Sequence, residues 1–138
     1  MIETYRGVVY PHQIDHMQHM NVQWYTARFD EATWHLMSRV GITVTYMDEN
    51  DKGMAAVEQT TKYKAEVKSG DLLVIKSKFL EVKDKAVRFL HIMYNPETEQ
   101  EVATSELVGV HIDTITRKSC PFEREMKESC RTLMHATT

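Results

Sequence analysis

The spacing of apolar residues along the chain changes period once. Between residues 21 and 41, Tyr25, Phe29, Ala32, Leu36 and Val40 recur at intervals of four, three, four and four, the repeat of one helical face. Asn21 ahead of this run suits a helix cap and Gly41 behind it suits a stop, so the pattern predicts a helix over 22–40. Trp24, Ala27 and Trp34 fall off the stripe, which makes the helix apolar around much of its girth and gives it a central place. From residue 54 the period drops to two. Ala55, Val57, Gln59, Thr61, Tyr63, Ala65 and Val67 alternate with Glu58, Thr60, Lys62, Lys64, Glu66 and Lys68, predicting a half-buried strand over 54–68. Turns at Ser69-Gly70-Asp71, Lys83-Asp84-Lys85 and Asn95-Pro96-Glu97 separate three more strands, 72–82, 86–94 and 102–116. Residues 3–9 form a short first strand before Pro11, and 121–135 a closing helix started by Ser119 or Pro121.

Strand, long helix and four hairpin-linked strands leave one economical arrangement, an α+β domain in which a five-stranded antiparallel sheet bends around the helix. A ferredoxin-like order would need a second helix between strands, where the sequence has only short polar turns. No repeat or linker divides the chain, so one domain is expected over 1–138, with 121–138 a short C-terminal helix and tail. The strands carry apolar residues on both alternations while one helix covers one face, which predicts a dimer or larger assembly.

Composition changes this picture little: 42% hydrophobic and 27% charged residues are ordinary for a globular protein and exclude disorder and a disulfide scaffold. A net charge of −3 and the absence of a basic block argue against nucleic acid. No apolar run is long enough for a membrane span, no secretory leader opens the chain, and Cys120 and Cys130 read as reduced thiols, so a cytoplasmic location is expected.

The densest polar segment runs from Pro11 to Asn21, between the first strand and the helix start. Amides at a helix start carry partial positive charge and polarise a carbonyl, and Asp15 beside them is a candidate base or nucleophile; by spacing alone, a turn-capping role is the better reading of Asp15. Glu31, four residues before His35, reads as a surface-paired competitor, and Glu58 as a site-shaping carboxylate. His12, His16 and His19 have helical ligand spacing, but Pro11 and the later cap at Asn21 argue against a helix and against zinc.

In this segment Asp15, His19-Met20-Asn21 and Tyr25 resemble the hot-dog acyl-CoA thioesterases of the 4-hydroxybenzoyl-CoA type. Val57-Glu58 through Tyr63 to Gly70-Asp71, then Ala103-Thr104 and Val110-His111-Ile112-Asp113, continue the likeness over about residues 4–125. Val57-Glu58, Asp84-Lys85, Phe89-Leu90-His91 and Pro121-Phe122 are similar to the subgroup attached to carnitine dehydrogenases. The resemblance implies a hot-dog fold, a homodimer or homotetramer, and cofactor-free hydrolysis of a small or medium acyl-CoA, with Asp15 catalytic. It places His19, Met20, Asn21, Val22, Tyr25 and Glu58 around the substrate, the amides from Met20 to Val22 polarising the thioester carbonyl. One departure stands out: the family often has Gly where this chain has Gln18, a residue that resists positive φ. The alternative is a non-catalytic acyl-thioester or fatty-acyl binding module. Trp24, Trp34 and Tyr46 are candidates for an aromatic pocket around a quaternary ammonium acyl group, though core packing is the commoner use of such residues.

Overall fold

A computed structural model of the chain describes residues 1–136. Five strands, β1 (Ile2–Val8), β2 (Lys52–Tyr63), β3 (Leu72–Val82), β4 (Ala86–Asn95) and β5 (Gln100–Asp113), form one antiparallel sheet in the order β1-β3-β4-β5-β2. Helix α1 (Val22–Ser38) lies on one face, with α2 (Val44–Asn50) and α3 (Arg124–Ala136) docked on that same side. This is the helix-wrapped sheet that the two periods predict, and the hot-dog arrangement that the resemblance implies.

The helix forms where the stripe says. The Asn21 side chain accepts the Gln23 amide at 3.0 Å, satisfying one of the orphan donors of the first turn. Gly41, at φ 87°, ends it three residues beyond Ser38 and lets the Ile42 amide turn back to the Met37 carbonyl. Tyr25, Phe29 and Ala32 pack on Leu73, Ile75, Met93 and Ala103 in one core cluster. Leu36 and Met37 pack on Phe79, Phe89 and Leu107 in a second, which α3 closes with Met126 and Cys130. Burying each Phe or Leu side chain stabilises the fold by about 1.5–3 kcal/mol, so these two clusters fix α1 on the sheet.

Two expectations need correction. The strand predicted over 54–68 occupies 52–63: the Lys64 and Ala65 amides both donate to the Val102 carbonyl and the chain leaves the sheet there. Its alternation also breaks inside, because a bulge at Val57 shifts the ladder with β5. Ala56 pairs with Gly109, Glu58 with Val108 and Gln59 with Leu107. The helix-facing set is thus Met54 and Ala56 before the bulge and Gln59, Thr61 and Tyr63 after it. Second, α2 is absent from the expectations; Val44–Asn50 is only seven residues long and its core contacts, Tyr46 and Met47, are half-buried, too short a stripe to show a period. The remaining boundaries move by at most three residues, β3 matching its expected bounds, and the tail beyond 136 lies outside the described residues.

Candidate active site

The segment from Tyr10 to Asn21 is pinned at both ends and presents a small hairpin between them. At its base the Gln13 amide side-chain oxygen accepts the Tyr10 amide at 2.9 Å, and the Gln13 carbonyl accepts the Asn21 amide at 2.8 Å. Ile14 bridges Met20; above this rung the Asp15 amide donates to the His19 carbonyl and the Gln18 amide to the Asp15 carbonyl, both at 3.0 Å. That pattern is a tight turn closed by one residue in the left-handed region, and Gln18 takes that place at φ 66°. The position where the resemblance expects Gly therefore has the backbone shape that favours Gly, and Gln adopts it.

Asp15 is half-buried at this tip. One carboxylate oxygen accepts the Met17 amide at 2.8 Å, so the turn-capping role and a chemical role coexist in one side chain: the second oxygen has no protein partner among the described residues. The amides assigned to carbonyl polarisation are less available than expected. Met20, buried, donates to the Val67 carbonyl at 2.8 Å and Asn21 to Gln13, which leaves the exposed Val22 amide without a partner among the described residues. His19 sets Nε2 3.1 Å from Glu66, holding the hairpin to the segment after β2. Tyr25 is buried, edge-on to Tyr63 with ring centroids 5.1 Å apart, and burial pushes its phenol pKa up, so its hydroxyl stays neutral. Glu58 is exposed on the sheet face away from α1. Glu31 and His35, expected to pair, are both exposed and form no ion pair among the described residues.

The three loop histidines do not converge, and among the described residues no three His, Cys, Asp or Glu side chains gather as metal ligands. His12 packs instead between Tyr10 and the edge of Trp24. The three candidate pocket aromatics also separate. Trp24 joins the first core cluster, and Tyr46 gives its hydroxyl to His111 Nε2 at 3.0 Å, its phenol pKa pushed by burial up to about 12. Trp34 lines a cleft of about 340 Å³ between α1 and the first half of β2, floored by Phe89, Leu107 and Gly109.

Two groups escape sequence reasoning. Arg28 is 3% exposed, with Nη2 donating to the Val8 carbonyl at 2.9 Å and to Gln13 Oε1 at 2.8 Å while Nε has no partner. It ties α1 to the base of the hairpin without a carboxylate beside it. The other is His91, fully buried in β4. Thr33 Oγ1 lies 2.8 Å from His91 Nε2 and Ser77 Oγ 2.5 Å from Nδ1, and Thr4 Oγ1 shares a hydrogen bond with Ser77 at 2.7 Å. Burial lowers the His91 pKa to about 3, which keeps the ring neutral. For both, the only sequence signal is a polar residue within one or two places of a core position.

Comparison with known proteins assigns the family. The profile described as the thioesterase-like superfamily matches residues 9–130. The chain belongs to this family. Among curated relatives, a betainyl-CoA thioesterase of Pseudomonas aeruginosa is 26% identical over 136 residues, 99% of this chain and 86% of the relative. An L-carnitine dehydrogenase/betainyl-CoA thioesterase of Agrobacterium fabrum is 31% identical over 101 residues, 73% of this chain and 20% of that longer protein. A Staphylococcus aureus protein solved in complex with CoA superposes with a TM-score of 0.90 at 18% identity, over 98% of this chain and 87% of its own, a likeness of fold. No helix among the described residues of this thioesterase-like chain is long and apolar enough to cross a membrane.

Proposed function

We propose that the chain is an acyl-CoA thioesterase in which Asp15 is the catalytic carboxylate. The observation that carries this reading is the Asp15 side chain itself, fixed through one oxygen by the Met17 amide, free at the other, at the tip of a hairpin that feeds the start of α1. Asp15 takes the proton of an attacking water, or attacks the thioester carbonyl itself to form a mixed anhydride that water then hydrolyses to the free acid, restoring the carboxylate. On either route the carbon–sulfur bond breaks and coenzyme A leaves as the thiolate, to be protonated by solvent. The free Val22 amide at the positive end of α1 is the donor available to the developing oxyanion. His19, Met20, Asn21 and Tyr25 act by shaping the loop and its floor, and Glu58 belongs to the outer surface. The curated relatives' substrate makes betainyl-CoA the first candidate. We place the enzyme in the cytosol, as a homodimer or homotetramer.

Asp15→Asn keeps the turn hydrogen bond and removes the charge, so turnover should fall about 10²–10⁴-fold with KM little changed. Release of free thiol from a panel of betainyl-, aryl- and medium-chain acyl-CoA measures this. Wild-type-like turnover in Asp15→Asn overturns the assignment of Asp15. A wild type that binds several thioesters and hydrolyses none overturns the enzyme and leaves the acyl-thioester binding module.

A further inference from the structure

The contacts of the buried Arg28 converge on the two chain segments that carry the proposed chemistry. Its Nη2 donates to the carbonyl of Val8, the last residue of β1, at 2.9 Å and to Gln13 Oε1 at 2.8 Å. Nη1 reaches back one helical turn to the Trp24 carbonyl at 3.4 Å, and the guanidinium lies 5.8 Å from the centroid of the Tyr5 ring. Gln13, itself buried, is a clamp: its Oε1 also accepts the Tyr10 amide, and its carbonyl accepts the Asn21 amide. Asp15 follows Gln13 by two residues on one side of the hairpin, and Val22 follows Asn21 by one on the other. The Gln13–Asn21 rung thus sets how the Asp15 carboxylate stands to the Val22 amide, and one guanidinium fastens that rung to both α1 and β1.

Stability alone does not call for a charge at this place. Arg28 makes no ion pair among the described residues, and its buried Nε has no partner there. An uncompensated buried charge is costly, and an apolar side chain of similar volume often fills such a site without loss to the fold. What an apolar chain cannot do is hold oxygens from separate segments in the fixed fork of a guanidinium. We propose that Arg28 is a positioning residue: acting through Gln13, it holds the Asp15 carboxylate in line with a thioester whose oxygen lies on the Val22 amide. The inference rests on the thioesterase reading and adds to that site a residue that solvent barely reaches.

The test is kinetic, on the acyl-CoA panel above, with each variant assayed well below its melting temperature. Arg28→Met should lower kcat about 10–100-fold and leave KM within about threefold, because misplacing a reacting group by an ångström slows the chemistry without loosening the grip on coenzyme A. Gln13→Leu should do the same, and the double variant should be no slower than either single one. Gln13→Glu, which keeps the acceptor for Arg28 and for the Tyr10 amide, should turn over at least about threefold faster than Gln13→Leu. Wild-type kcat in Arg28→Met, a change confined to KM, or losses that multiply in the double variant overturn the inference while the thioesterase reading stands. If Arg28→Met does not fold, the Gln13 pair decides, and equal kcat in Gln13→Leu and Gln13→Glu overturns it. Should the wild type hydrolyse no thioester, the thioesterase reading fails on its own account and amide hydrogen exchange is read instead. The Asp15, Gln18 and Asn21 amides should then exchange at least about tenfold faster in Arg28→Met, or in Gln13→Leu, while the β4 amides keep their rates. Hairpin rates equal to those of the wild type overturn the positioning role.

Discussion

Gln18 shows at one residue how chemistry and backbone compete. Holding a side chain at φ 66° costs about 1 kcal/mol relative to the right-handed regions, and glycine would remove that strain while adding freedom to the unfolded chain. Gln18→Gly should therefore leave stability unchanged or raise it by up to about 1 kcal/mol, whereas Gln18→Val, branched at Cβ, should lower it by more than about 1 kcal/mol. Urea denaturation of the three proteins checks the order, and a Gly variant less stable than the Val variant refutes it. The sequence alone made this position visible through its resemblance, as it did the Asn21 cap, because both depend on neighbours in the chain. Arg28 and His91 were invisible for the opposite reason. Their partners Val8, Gln13, Ser77 and Thr33 come from distant segments, and nothing local separates a buried arginine from a solvated one.

Among the elements, β2 departs furthest from its pattern. It lies at an edge of the sheet, with one row of backbone groups unpaired by the chain, residues 56–60 all exposed and Val57 62% exposed. Helix and core strands were legible because their stripes face a single core; β2 was misread because the Val57 bulge changes which residues face inward halfway along. On the sheet's outer face Leu80, Leu90, Ile92, Val108 and Val110 are only half-buried, since all three helices lie on the other side. An open edge beside an uncovered apolar face invites a second copy of the chain. Light scattering at micromolar concentration should return at least twice the mass of one chain. A single species of one-chain mass would refute both the assembly and any site shared between subunits.

For the whole molecule, the buried His91 ring makes stability a function of pH. Its pKa is depressed from 6.5 in the unfolded chain to about 3 in the fold, so below pH 6.5 the unfolded state gains a proton that the native state refuses. The stabilisation is complete above pH 6.5 and is lost progressively as pH falls towards 3. Between pH 7 and pH 5 the loss amounts to about 2 kcal/mol, at one proton's slope. Denaturant titrations at pH 7, 6 and 5 measure it, and His91→Gln, which keeps a polar partner for Thr33, should lose the slope; a flat wild-type profile would refute the account. The polar thread through that ring has a mechanical consequence too. It runs from Thr4 on β1 through Ser77 on β3 and His91 on β4 to Thr33 on α1. Hydrocarbon contacts tolerate a helix that rolls about its axis, but a roll of one residue would carry Thr33 off the imidazole and leave a ring nitrogen facing Phe29 and Phe89. The thread thus acts as an index pin, setting the rotational phase of α1. Asn21 at one end of that helix and Arg28 in its middle are aimed by a histidine that solvent never reaches.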